Sequence, residues 1–166
     1  MVVLVMGVAG SGKTTVGRAL AAALGGAFYD GDDFHPPANV AKMATGTPLD
    51  DADRAPWLAA LRARLEASLR AGETAVVACS ALKACYRETL LGGLPPEQAR
   101  LVWLRGPREL LAERMRARRG HFMPPALLDS QLATLEEPAG AIVADIAPPP
   151  DEIVAGVLAA LGRKAD

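Results

Sequence analysis

The residues with the clearest chemistry are 7–14, GVAGSGKT. Their spacing is G-x-x-x-x-G-K-[ST], a loop that cradles phosphate. A phosphate chain needs many donors in a small space. The backbone of Gly7, Val8, Ala9, Gly10, Ser11, Gly12, Lys13, Thr14 and Thr15 can supply them only if side chains do not block the approach, hence the three glycines. The helix that must follow adds its N-terminal N–H groups and the positive end of its dipole. Lys13 is a mobile point charge for β- and γ-phosphates, and Thr14 offers a hydroxyl to Mg2+.

Other residues complement this loop. Asp30 and Asp32 follow the short apolar run Ala27-Phe28-Tyr29. In open α/β sheets ligands lie beyond the carboxyl ends of strands, so these carboxylates are expected near the loop. Either one suits a Mg2+-bound water or the proton of an acceptor hydroxyl. The plainer alternative is an acidic turn in which Asp32 or Asp33 caps a helix. His35, before two prolines, reads more readily as a turn residue than as a catalyst. Arg54 sits in an expected first helical turn, where the dipole disfavours a cation. It serves an anionic ligand or pairs with Asp50 or Asp51. Lys83 and Arg87, four apart, read as one helix face, either solvated or an anion clamp. The strand Ala75-Val76-Val77-Ala78 lacks the acid that usually follows such a strand in P-loop enzymes, so Asp30 or Asp32 must give the metal its second support. Arg114, Arg118 and Arg119 belong to an arginine-rich helix, and His121 to the Gly- and Pro-bounded segment that follows it. A lid over residues 114–126, closing on phosphates and excluding water, is expected there; the alternative is a basic surface helix that touches RNA.

The elements that must position these groups alternate along the chain. Residues 2–6, 27–29, 75–78, 100–104 and 141–146 read as strands, and the apolar runs without alternation suit a parallel sheet buried on both faces. Residues 13–24, 50–71, 80–91, 107–119, 127–136 and 151–161 read as helices. Such alternation predicts an α/β fold: one P-loop domain over 1–166, with about five parallel strands flanked by helices and a helical lid. With 51% hydrophobic and 22% charged residues the chain has the makeup of a globular protein. A net charge of −1 gives no bulk attraction to nucleic acid or an anionic membrane. No apolar run approaches the ~20 residues of a membrane span, and no basic segment opens a leader peptide. Cys79 and Cys85 make no metal-binding pattern and read as reduced thiols in a cytoplasmic protein.

Taken together, GVAGSGKTT, FYDGDDFHPPANVAKMATGTPLDDADRAPWL, CSALKACYRETL and RARRGHFMPPALLDSQLATLEEP resemble the gluconokinase family, small cytosolic P-loop kinases that phosphorylate D-gluconate. The loop is widespread; HPPANVAKMATGTPL with DRAPWL, and HFMPPALLDSQLATLE, are far more specific. The resemblance runs from residue 7 to 138 and implies a fold like that of shikimate kinase and nucleoside monophosphate kinases. It implies ATP and Mg2+ on residues 7–15, with Thr14 and Asp30 toward the metal. It places Asp32 at the gluconate 6-hydroxyl, with the roles of Asp30 and Asp32 exchangeable. His35, Arg54, Lys83 and Arg87 would line the sugar-acid pocket, with Gln131 a weaker candidate, and Arg114 and Arg118 would be lid arginines. A homodimer is also implied, with neither nucleic acid nor membrane as partner. Two other readings compete: a related kinase acting on shikimate or a nucleoside monophosphate, and a non-catalytic nucleotide-dependent module that holds RNA.

Overall fold

Val2–Met6 forms the first strand, β1, and every residue of it is fully buried. Side chains alternate across a strand, and here both faces meet apolar layers. Val3 and Val5 join one cluster, and Val2, Leu4 and Met6 join the other. In the computed structural model, which describes residues 1–117 and 125–163, β1 is the centre of a five-stranded parallel sheet. The others are β2 (Ala27–Asp30), β3 (Ala75–Ala78), β4 (Ala99–Arg105) and β5 (Ile142–Asp145), in the order β2-β3-β1-β4-β5. The helices are α1 (Lys13–Ala23), α2 (Pro37–Ala44), α3 (Asp51–Arg70), α4 (Ala84–Leu91), α5 (Arg108–Ala117), α6 (Pro125–Thr134) and α7 (Pro150–Ala160). Val16 and Leu20 of α1, Leu111 of α5 and Val154 of α7 cover one face of the sheet. Trp57, Leu61 and Leu65 of α3 and Leu90 of α4 cover the other. No described helix is long and apolar enough to cross a membrane.

Register gathers the chemistry at one edge. Val5 pairs with Ala78, and Ala78 pairs with Asp30. The chain therefore leaves β1, β3 and β2 at the same level, so residues 7–12, 79–83 and 31–34 form one rim. The chain runs from β1 to β2 and β3 on one side, then crosses to β4 on the other, and ligands collect where strand order reverses in this way.

Two local details differ from the sequence expectation. The helix expected from Ser80 begins only at Ala84. Ala81 takes a left-handed conformation (φ 44°), the only such non-glycine residue among those described. A right-handed helix cannot run through it, and Lys83 remains extended as the residue before α4. Lys83 and Arg87 therefore do not share a helix face. The second detail is the acidic turn. Asp30, not Asp32 or Asp33, caps the short 3-10 turn Gly31–Phe34, its carboxylate accepting from the Asp32 amide.

Candidate active site

The loop after β1 has the shape its composition requires. Gly10 has φ +80°, and a Cβ there would lie 2.8 Å from the Leu111 carbonyl oxygen. Gly12 has φ +89° and precedes α1 directly, so the loop delivers its amides at that helix's N-terminus. Lys13 opens α1 and donates from Nζ to the Val8 carbonyl at 3.1 Å. Thr14 donates from Oγ1 to Asp30 Oδ2 at 3.0 Å, and Asp30 Oδ1 accepts from the Asp32 amide at 3.2 Å. Asp30 is thus fixed by both oxygens, one on the phosphate loop's threonine and one on the next turn. Asp32 contributes its amide to that turn, and the residue is exposed.

The position that usually holds an acid after β3 is Cys79. It is buried, and burial pushes its thiol up to about 12, so it stays neutral and cannot replace that acid. Asp30 is the carboxylate that reaches Thr14 instead. Hydroxyl and carboxylate oxygens are hard donors suited to Mg2+. No group of three or more His, Cys, Asp or Glu side chains could hold a metal among the described residues. A cation here would complete its shell from phosphate and water, as Mg2+ commonly does.

Beside Asp32 the 3-10 turn rests on Trp57. The indole Nε1 donates to the Gly31 carbonyl at 2.7 Å, and His35 stacks on the indole at 4.4 Å between ring centroids, 11° from parallel. Trp57 is buried core, and it is also the ledge under the acidic turn. Next to it lies a charged cluster. The Lys83 ammonium donates to both oxygens of Asp51, at 2.8 and 3.0 Å. Tyr86 donates its phenol to the same carboxylate. Arg54 lies 3.8 Å from Asp51 and donates to the Tyr86 oxygen at 3.4 Å. The hydrogen bonds from Lys83 and Tyr86 hold the Asp51 carboxyl below its ordinary range, and the same contacts raise the lysine. Of the two partners open to Arg54 in the sequence, the structure pairs it with Asp51. In the sequence Asp51 reads as one of two partners open to Arg54, and nothing there ties it to Lys83 or Tyr86.

Arg87 goes elsewhere. It is buried, and its Nη1 donates to the carbonyls of Ala81 and Leu82 at 3.0 and 2.9 Å. Gln131 receives the Ala9 amide on Oε1 at 2.6 Å, so it braces the phosphate loop from α6. Arg114 lies over that loop: its Nη1 is 4.0 Å from where a Gly12 Cβ would stand, and its Nη2 donates to the Ile146 carbonyl at 2.7 Å. A cleft of about 250 Å³ runs between the loop, α5 and α7, lined by Gly12, Thr15, Val16, Arg114, Pro150 and Ile153. Nothing in the spacing of Pro150 and Ile153 marks them out in the sequence; folding alone brings α7 to the loop. Arg118, Arg119 and His121 lie outside the described residues.

His35 gives this side of the site a pH signature. Burial lowers its pKa below the usual 6.5; the Asp32 charge opposes this and the Arg54 charge reinforces it. A histidine that is harder to protonate when folded contributes stability that is complete above the unfolded pKa and is lost as pH falls through the folded one. Thermal unfolding between pH 7.5 and 5.5 should therefore show a smaller loss of Tm in His35→Gln than in the wild type. An equal loss would overturn the assignment.

A phosphate cradle on the central strand, a carboxylate on its threonine and a cationic cluster on the same rim define a P-loop kinase. A sequence profile for the AAA domain matches residues 2–138. The chain is 56% identical over 136 residues to the gluconokinase of Gluconobacter oxydans, covering 81% of this chain and 75% of that one, and it belongs to the gluconokinase family. A gluconokinase structure from Sinorhizobium meliloti superposes with a TM-score of 0.85 at 49% identity, covering 98% of this chain and 92% of that one. Shikimate kinase from Aquifex aeolicus shares the fold, with a TM-score of 0.60 at 21% identity over 98% and 96% of the two chains.

Proposed function

We propose that this chain transfers the γ-phosphoryl group of ATP to the 6-hydroxyl of D-gluconate, giving 6-phospho-D-gluconate and ADP. The observation that carries the proposal is the shared rim: the Thr14–Asp30 bond sets the phosphate side, and Arg54, Lys83 and Tyr86 gather around one carboxylate, Asp51, on the acceptor side. A group of donors that already binds a carboxylate is suited to the carboxylate of a sugar acid. The cleft under Arg114, with Val16, Pro150 and Ile153 as apolar walls, would take the nucleoside of ATP and leave its phosphates on the loop.

In this reading the chain forms one kinase domain with a lid over about 114–126, and the acceptor enters beside Asp32. His35 and Arg54 orient it, and Lys83 receives its carboxylate. Asp32 takes the proton from the 6-hydroxyl as that oxygen attacks the γ-phosphorus in line, and the bond to the ADP oxygen breaks. Lys13 and Arg114 stabilise charge on the transferring group. Thr14 and Asp30 would hold Mg2+, directly or through water, and when bound it neutralises charge on the β- and γ-phosphates. A homodimer in the cytoplasm completes the proposal.

The test is ADP release with ATP, Mg2+ and D-gluconate, shikimate, AMP or no acceptor. Release that needs gluconate is the expected result. Release driven instead by shikimate or AMP would keep the phosphate side and overturn the acceptor assignment.

A further inference from the structure

Between the two halves of the site lies a feature that neither half explains. The rim loop 80–83 is held in an unfavourable shape. Ala81 has φ 44°, a conformation that is strained for a non-glycine residue. The helix it leads into, α4, has no side-chain cap of its own. Two side chains hold the loop, one from α4 itself and one from beyond α6. Arg87 receives it from below through the carbonyls of Ala81 and Leu82. Glu136, just past the end of α6, closes it from the other side. Its Oε2 accepts from the Ala84 amide at 2.6 Å, and its own amide donates to the Leu82 carbonyl at 3.0 Å.

We propose that Glu136 is a positioning residue for the acceptor pocket: by capping α4 at Ala84 it fixes the loop that presents Lys83. The proposal rests on the reading of Lys83 as an acceptor-binding group. Lys83 is the residue before Ala84, so the capped amide directly follows the lysine whose ammonium grips Asp51. A carboxylate on a helix N-terminal amide makes a charge-assisted bond and complements the dipole. The opposite end of the same brace is on the nucleotide side, where Gln131 of α6 holds the Ala9 amide. The start of α5 is tied to α6 by Arg108, which donates from Nε and Nη2 to the two oxygens of Asp129 at 2.6 and 2.9 Å. The segment that follows the lid region therefore touches the phosphate loop with one residue and the acceptor loop with another. Its placement decides where Lys83 stands.

Glu136 is exposed, so replacing it leaves the core intact. Two variants separate the cap from the charge: Glu136→Gln keeps an acceptor oxygen, and Glu136→Ala removes it. Initial rates are measured with ATP and gluconate varied independently, beside hydrogen exchange of the Ala84 amide. Glu136→Ala should raise the KM for gluconate up to about tenfold, the scale of one lost hydrogen bond, and leave kcat and the KM for ATP within about twofold. Glu136→Gln should stay within about twofold throughout. An unchanged gluconate KM in Glu136→Ala, a parallel rise in both KM values, or equal damage in the two variants would overturn the proposal. If the wild type shows no gluconate-dependent turnover, the functional reading fails, and the Ala84 amide decides the brace by itself. Faster exchange in Glu136→Ala but not in Glu136→Gln supports it; unchanged exchange overturns it.

Discussion

Lys13→Ala should lower kcat at least ~100-fold with both substrates saturating. Removing one charged contact to a transferring group typically raises the barrier by about 3 to 4 kcal/mol, or two to three orders of magnitude in rate. The structure gives this residue a defined place. It is the first residue of α1, at the end of the loop, and its ammonium folds back onto the Val8 carbonyl at 3.1 Å, within the cradle itself. In the proposed reaction a charge held there would meet the negative charge that gathers during transfer, with little reorganisation. Thermal unfolding should change little, because the side chain is part of the rim and not of either apolar layer. Steady-state kinetics with an unfolding curve distinguish the two effects, and near-normal turnover would overturn the assignment of the loop.

Asp32→Asn should lower kcat by about two to four orders of magnitude, the usual range for loss of a general base. The KM for gluconate should move much less. The partner experiment is Asp30→Asn, which should chiefly raise the Mg2+ concentration needed for half-maximal rate. The difference follows from the bonding. Both Asp30 oxygens are already engaged, on the Thr14 hydroxyl and on the Asp32 amide, so this carboxylate is the fixed one beside the phosphate loop. Asp32 enters that turn through its backbone amide and is exposed, which leaves its carboxylate open to the proposed role at the acceptor hydroxyl. If the larger kcat loss appears in Asp30→Asn and the Mg2+ shift in Asp32→Asn, the two roles are exchanged.

These expectations draw on different depths of information. The phosphate loop, the five strands and a carboxylate near the loop after β2 can be read from local pattern; that Asp30 and not Asp32 meets Thr14 is seen only in the structure. Strand period, glycine spacing and the missing acid after β3 are each properties of a few adjacent residues. The acceptor side is less legible. Arg54, Lys83 and Arg87 are all cations in family-like segments, and the sequence does not distinguish them. Folding does: Arg87 turns into the backbone of the strained loop, while Arg54 and Lys83 converge on Asp51. Gln131, a weaker substrate candidate by resemblance, stands on the Ala9 amide. Asp51, Tyr86 and Glu136 carry no signal of their own, because each acts through a partner more than 30 residues away.

Local residue pattern therefore accounts for the class of chemistry and the frame. An apolar strand, a glycine loop and a lysine at helix start dictate a phosphate cradle whatever surrounds them, since the donors are backbone amides and the constraint is local sterics. Only folding shows that Arg87 meets backbone carbonyls while Arg54 and Lys83 meet Asp51, and that Cys79 is too deeply buried to ionise. Hydrogen bonds and charge pairs depend on distances between elements. Those distances are set by the packing of α3 and α4 on one face of the sheet, and of α5 and α7 against the loop, not by any spacing along the chain.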